Sequence, residues 1–97
     1  MEFNAMLKED RRRCILQFLE GSSGRTGSLP FLVMVLDMTG HRISSKDVAE
    51  ELSWLEQNRL VTLDAPGGVV VATLTRRGTD VAQDRLRVAG VKRPEVA

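Results

Sequence analysis

The stretch from residue 44 to residue 82 constrains the fold of this chain most, because its hydrophobic period changes twice. Its first part carries apolar residues at the spacing of one helix face: Val48, Leu52 and Leu55. Two short apolar runs, 60–63 and 69–74, follow on either side of the turn-forming segment 64–68. Thr75 then stands where a helix cap is expected. The stretch therefore predicts a helix, a β-hairpin and a further helix in that order.

Two more helices are predicted upstream of this stretch. The first covers 4–20, where apolar residues form one stripe, and the polar segment 21–27 is predicted to be a loop. Ser28 is predicted to cap a second helix over 29–38, which has a proline in its first turn. A strand is the competing interpretation of 31–36, because short apolar runs are ambiguous. The second helix is apolar nearly all round and is expected to be the most buried element.

The complete pattern predicts an α+β fold, mainly α, with three helices, a two-stranded hairpin and a C-terminal helix. The third helix is expected to begin after Ser44 and to stop near Asn58. The last helix is expected to use Val81, Ala82, Leu86 and Val88 on its apolar side. Residues 1–90 are assigned to one domain and residues 91–97 to a disordered tail.

Composition excludes several function classes. One cysteine and one histidine among 97 residues permit no internal disulfide and no four-ligand structural zinc site. We expect no metal, no cofactor and no catalysis, because no nucleophile stands at useful spacing from a base. The longest apolar run, 29–36, is too short to span a membrane, and the start does not resemble a signal peptide. A cytoplasmic protein is expected, and so small a chain gains buried surface by forming a homodimer.

Two stretches resemble the winged-helix transcription regulators of bacteria and their phages, of the broad ArsR, MarR and PadR kind. Residues 45–61, SKDVAEELSWLEQNRLV, are similar to the recognition helix and its exit into the wing. Residues 74–82, LTRRGTDVA, are similar to the stretch that opens the last helix after the wing. More loosely, the chain resembles small winged-helix proteins of Mu-like phages. The resemblance implies a helix-turn-helix domain that regulates transcription by binding double-stranded DNA.

Charge and helix position select the residues expected to contact DNA. Residues 75–97 carry a local balance of +3, and Arg76 and Arg77 are expected to hold phosphates. Ser44, Ser45 and Lys46 lie at the N-terminal end of the third helix, where free N–H groups and the helix dipole favour phosphate. The alternative role of the serines is simple helix capping. The alternative role of the arginines is to keep the protein soluble or to form a dimer surface.

The third helix also supports a different hypothesis. Residues 44–58 carry a local balance of −3, and a carboxylate directed at DNA is repelled. The rival interpretation is a protein-interaction module in which the acidic face, with Glu50 and Glu51, docks a basic partner or a second protomer. Arg11–Arg13 is interpreted as a solvated helix face partly paired with Glu9 and Asp10, with a phosphate-binding patch as the alternative.

Overall fold

The computed structural model describes residues 2–93 and contains four helices and one three-stranded antiparallel sheet. This arrangement confirms an α+β fold in which helix predominates. The elements follow in chain order as α1 (Phe3–Gly21), β1 (Thr26–Ser28), α2 (Leu29–Met38), α3 (Ser45–Gln57), β2 (Val61–Asp64), β3 (Val71–Leu74) and α4 (Arg76–Ala82). Short 3-10 turns occupy Ser23–Arg25 and Pro66–Gly68.

Three side-chain caps fix where the later helices begin. The hydroxyl of Ser28 accepts from the N–H of Phe31 at 3.3 Å, so α2 is a helix, as predicted, and not a strand. Ser44 caps α3 at 3.1 Å, and Thr75 caps α4 by accepting from the N–H of Gly78 at 2.9 Å. Capping depends on residues within one helical turn, which is why sequence alone locates these starts.

The sheet has the order β1-β3-β2, so the predicted two-stranded hairpin is only part of it. Thr26–Ser28, predicted to be loop, pairs antiparallel with β3, and the Thr26 hydroxyl donates to the carbonyl of Ala72 at 3.0 Å. Three residues are too few to show a period of two, and their partners lie about 45 residues away along the chain. Pairing on both edges makes β3 the central strand.

One core joins the helices to the sheet. Its fully buried members come from α1, α2, α3 and the hairpin, and include Ile15, Leu16, Leu19, Leu32, Leu36, Val48, Leu52, Leu55, Leu60 and Ala72. The expectation that α2 is the most buried element is wrong, since only Leu32, Val35 and Leu36 of its ten residues are buried. Phe31, Met34 and Met38 are exposed along one side of α2, because only the opposite side faces α1 and α3.

The last helix is shorter than predicted and the chain after it returns to α1. α4 ends at Ala82, and Asp84 adopts a left-handed φ of 63°, which turns the chain. Leu86 and Val88, expected on α4, lie beyond it and pack against the core. Val91 is only 7% exposed, and Lys92 N–H donates to the Glu9 carbonyl at 3.1 Å, so the packed chain does not stop at residue 90. Residues 94–97 of the expected tail lie outside the described residues.

Gly78 allows α4 to lie against the end of α3. A Cβ at this position would lie 2.0 Å from the carbonyl oxygen of Leu60, which is backbone and cannot move aside cheaply. The same Leu60 carbonyl accepts from the N–H of Thr75. This close approach fixes where the two arginines that precede Gly78 emerge.

Among residues 2–93, no helix is both long and apolar enough to cross a membrane.

Candidate nucleic-acid interface

The five residues predicted to contact DNA are all on the surface, but they form two separate groups. Ser44, Ser45 and Lys46 lie at the N-terminal end of α3. Arg76 and Arg77 begin α4, and Arg77 Nε donates to the carbonyl of Asn58, the residue that ends α3, at 3.1 Å. Thirteen helical residues span about 20 Å. The structure therefore places the two groups at opposite ends of α3.

Arginines from distant parts of the chain surround the start of α4. Arg76 lines one surface cavity together with Arg25 and Arg85. Arg77 lines a second cavity with Arg59 and with the end of α3. Since Arg76 and Arg77 are consecutive, the two cavities flank the same helical turn. We call this set the α4 arginine surface: Arg25, Arg59, Arg76, Arg77 and Arg85.

The guanidinium groups of this surface form no ion pairs with the part of the chain that the structure describes. Across residues 2–93, none of the five has a carboxylate oxygen within 4.0 Å, and all five residues are exposed. Their hydrogen bonds go to uncharged groups: Arg25 Nη1 lies 3.2 Å from the hydroxyl of Thr79, and Arg77 contacts the Asn58 carbonyl. Asp80 is the acidic residue that lines the Arg76 cavity. The surface therefore presents several positive charges to solvent.

Sequence reasoning found Arg76 and Arg77 and missed two members of this surface, Arg25 and Arg59. Each stands alone in its own turn, Arg25 before β1 and Arg59 between α3 and β2. Both adopt a left-handed backbone conformation, with φ of 56° and 62°. Non-glycine residues rarely adopt this conformation, and nothing in a local charge count signals it. Arg85 belongs to the basic segment already noted.

The outward face of α3 is less acidic than its sequence indicates. Lys46, Glu50, Ser53 and Gln57 are all exposed and share one side of the helix, at spacings of four, three and four residues. Glu51 is 4% exposed and accepts from Arg12 Nε at 2.7 Å and from Arg11 Nη1 at 3.1 Å. The expectation that Glu51 forms a docking face with Glu50 is therefore wrong, because Glu51 is enclosed by arginines.

The arginines of α1 are committed to contacts inside the molecule. Besides Glu51, Arg12 contacts the ring of Trp54, with 4.0 Å between its guanidinium carbon and the ring centroid, and donates to the Gly90 carbonyl at 3.0 Å. Arg13 forms an ion pair with Asp84 at 2.8 Å, and this hydrogen bond lowers the pKa of Asp84 and raises that of Arg13. The expected pairing of these arginines with Glu9 and Asp10 is not what the structure shows, because their partners lie on other elements.

A second polar cluster joins α1 to the segment after α2. Asp10 and Cys14 are one turn apart on α1, and Asp10 Oδ2 lies 2.7 Å from His41 Nε2. Lys92 Nζ approaches the other carboxylate oxygen at 3.3 Å. Burial alone would raise the pKa of Asp10, but the hydrogen bonds from His41 and Lys92 outweigh it and lower that pKa. Burial, reinforced by the charge of Asp10, raises the pKa of the Cys14 thiol.

Comparison with known proteins connects the chain to phage and bacterial relatives. It is 44% identical over 91 residues to the uncharacterized protein gp26 of Escherichia phage Mu, and the match covers 94% of each chain. It is 33% identical over 78 residues to an uncharacterized protein of Haemophilus influenzae, covering 79% of this chain and 76% of the relative. No protein-family model matches. The likeness to a Mu protein confirms the phage part of the expected resemblance.

Proposed function

We propose that this chain, which belongs to the family of the Escherichia phage Mu protein gp26, is a DNA-binding domain of winged-helix type. The observation that carries the proposal is the α4 arginine surface, where five exposed arginines have no carboxylate partner among residues 2–93. Arginine binds phosphate through a planar fork of donors, and neutralising phosphates supplies most of the affinity of proteins for duplex DNA.

The topology supports this type of domain. The β2–β3 hairpin begins three residues after α3 ends, and α4 follows the hairpin directly. This is the order that the resemblance to winged-helix regulators implies. The exposed side of α3 ends next to the cavity lined by Arg59 and Arg77. A helix placed in the major groove would therefore have phosphate-binding arginines at its C-terminal end.

The α3 face has a composition that tolerates DNA. Lys46, Ser53 and Gln57 are donors of the kinds that contact base edges or phosphates, and Glu50 is the acidic residue among them. With Glu51 neutralised by α1, Lys46 and Glu50 balance each other on this side of the helix, and the exposed carboxylates of Asp47 and Glu56 flank it. Ser44 and Ser45 would approach the backbone near the helix start. As a transcription regulator the domain would act as a homodimer on two half-sites.

The backbone at Arg25 and Arg59 adds a second argument. Left-handed positions are occupied most easily by glycine, and strained conformations concentrate at functional sites. An arginine at both positions costs stability relative to glycine, and the gain we propose is a phosphate contact. Turns also place these two arginines at the ends of elements, where both are exposed.

The direct test is fluorescence anisotropy with a random-sequence duplex, titrated at several salt concentrations. We expect measurable nonspecific binding. The logarithm of the association constant should fall linearly with the logarithm of the salt concentration. The double variant R76A/R77A should lower that slope by about 2, since each lost phosphate contact removes about 0.9. Absence of binding by the unaltered chain at about 10⁻⁴ M, the weak limit of nonspecific binding, would refute the proposal.

A matched control removes the same charge elsewhere. Lys8 lies near the N-terminal end of α1, and Arg93 lies close to the same end because the preceding residue, Lys92, donates to the Glu9 carbonyl. Both Lys8 and Arg93 are exposed. That end is about 20 Å along α1 from the turn that carries Arg25. The double variant K8A/R93A should change the salt slope by much less than R76A/R77A. Equal losses in the two variants would mean that net charge alone, and not the α4 arginine surface, attracts DNA.

A further inference from the structure

The cluster between α1 and the segment after α2 contains three side chains of the types that bind transition metals. Asp10, Cys14 and His41 each offer one ligand atom, and these atoms all lie within 4.8 Å of one another. Among residues 2–93 they are the only such group of three or more. Cys14 also packs against the core, so its sulfur lies between apolar side chains and the polar pair of Asp10 and His41.

The backbone holds the three ligands in a defined arrangement. A spacing of four residues on α1 projects Asp10 and Cys14 from the same side of the helix. His41 follows α2, and its N–H donates to the Leu36 carbonyl at 2.8 Å, so the end of α2 fixes the position of the ring. The ring is 7% exposed, whereas the Asp10 side chain is 38% exposed. One side of the cluster is therefore enclosed and the other open to solvent.

These distances fit a tetrahedral metal ion after small movements. Zinc–ligand bonds of 2.0–2.3 Å require ligand atoms about 3.3–3.6 Å apart. The His41–Asp10 separation of 2.7 Å must open slightly, and the cysteine sulfur must approach by about 1 Å. Side-chain rotations of this size leave the helix backbone in place. Three protein ligands with an open side are typical of a zinc site that keeps one position for water or another ligand.

We propose that Asp10, Cys14 and His41 form a binding site for a divalent transition metal of the zinc type, with water or an exogenous ligand in the fourth position. The metal replaces the hydrogen bond between His41 Nε2 and Asp10 Oδ2. The thiol of Cys14 gives up its proton to solvent and binds as thiolate, so affinity rises with pH. The combination of imidazole nitrogen, thiolate and carboxylate favours zinc over magnesium or calcium, which prefer oxygen alone.

Lys92 is the competitor for this site. Its ammonium lies 3.3 Å from the second Asp10 oxygen and supplies the positive charge that a metal would otherwise bring. The side chain is 43% exposed, so it can leave Asp10 for solvent when a metal binds. Removing the ammonium should therefore strengthen metal binding, a change of sign that damage to the fold cannot produce.

The test uses the full chain without a histidine tag, titrated with Co²⁺ alone and then with Zn²⁺. Because the chain has one cysteine and one histidine, each signal belongs to a single residue. We expect a sulfur-to-cobalt charge-transfer band at one equivalent, loss of the band when Zn²⁺ displaces Co²⁺, and a shift of the His41 ring resonances. Mg²⁺ at the same concentration should produce none of these changes.

Two variants decide the outcome. C14S should abolish the charge-transfer band and weaken zinc binding by at least about tenfold, while circular dichroism shows an unchanged fold. K92M should strengthen zinc binding by up to about tenfold. The proposal is overturned if Co²⁺ gives no sulfur band at saturation, or if zinc affinity is the same in C14S as in the unaltered chain. Weaker zinc binding by K92M than by the unaltered chain would also overturn the proposal, because removing an ammonium that competes with the metal cannot weaken metal binding.

Discussion

The arginines of α1 and those around α4 differ in what surrounds them, although both groups are basic. Arg11–Arg13 contact two carboxylates, one aromatic ring and two backbone carbonyls in other parts of the chain. The α4 arginine surface has no carboxylate partner within residues 2–93. A net charge of +1 therefore conceals a division between arginines that hold the fold together and arginines available to a ligand.

The difference follows from where each group emerges. The α1 arginines lie in the middle of a 19-residue helix that is covered by α3 and by the returning C-terminal segment. Guanidinium groups so placed must be paired, since leaving a charge unpaired in a partly buried position is costly. The α4 group emerges at turns and at a helix start, and all five of its arginines are exposed. These positions allow unpaired charge because water solvates it.

The largest expected effect is at Glu51, which neutralises Arg11 and Arg12. E51A leaves two poorly exposed guanidinium groups without their carboxylate, with side-chain exposures of 13% and 12%. We expect the free energy of unfolding to fall by about 3 kcal/mol or more, measured by urea denaturation with an unchanged m-value.

The neighbouring Glu50 provides the control for that prediction. It is exposed and no ion pair within residues 2–93 involves it, so E50A should change stability by no more than about 0.5 kcal/mol. Similar losses in E50A and E51A would contradict the division between the two faces of α3.

Sequence alone predicts most of the helices of this molecule but few of the ion pairs between side chains that are distant along the chain. Caps and stripes are local, so the starts of α2, α3 and α4 follow from the sequence. The partners of Arg12 and Arg13 lie 39 and 71 residues away, and no local pattern connects them. One signal was available: Glu51 falls among Val48, Leu52 and Leu55 on the buried side of α3, where a carboxylate requires a cationic partner.

The sequence predicts only part of the α4 arginine surface, because local patterns do not show contacts between distant residues. Arg76 and Arg77 stand together in a basic segment, but Arg25 and Arg59 reach them only because β1 joins the sheet and the chain turns after α3. The sequence assigns to the same interface Ser44, Ser45 and Lys46. In the structure, the length of α3 separates these three residues from the arginines. Sequence position along a helix does not show which end faces a neighbouring element.

An intermediate effect on stability is expected from replacing Arg12 by lysine, and Arg76 of the α4 arginine surface provides the control. R12K keeps the charge but cannot contact Glu51, the Gly90 carbonyl and the Trp54 ring together, since these contacts require a planar group. We expect a loss of about 1–2 kcal/mol of unfolding free energy. R76K should have almost no effect on stability by the same measurement. A stable R12K would show that charge alone suffices at this position.

A smaller effect, on binding, is expected from a single member of the α4 arginine surface. R59A removes one exposed guanidinium that has no ion-pair partner among residues 2–93, so the salt slope of DNA binding should fall by about 0.9. The left-handed backbone at this position is strained for any side chain, so we also propose R59G, which relieves strain and removes the same charge. Both variants should bind DNA equally weakly, with R59G the more stable of the two. A normal slope in both would remove Arg59 from the interface.

The smallest expected effect concerns Asp84, the exposed partner of Arg13, and it depends on pH. The hydrogen bond from Arg13 lowers the pKa of Asp84 below its ordinary value of 3.8 in the folded chain. Below about pH 4 the unfolded chain therefore binds a proton that the folded chain does not, and the free energy of unfolding falls as pH falls.

The variant D84N lacks this titrating carboxyl group and provides the comparison. The difference in melting temperature between the unaltered chain and D84N should be constant from pH 7 to about pH 5, shrink below about pH 4 and vanish once both forms are neutral. A difference that persists unchanged to about pH 2 would mean that Arg13 is held by the shape of its site and not by the charge of Asp84.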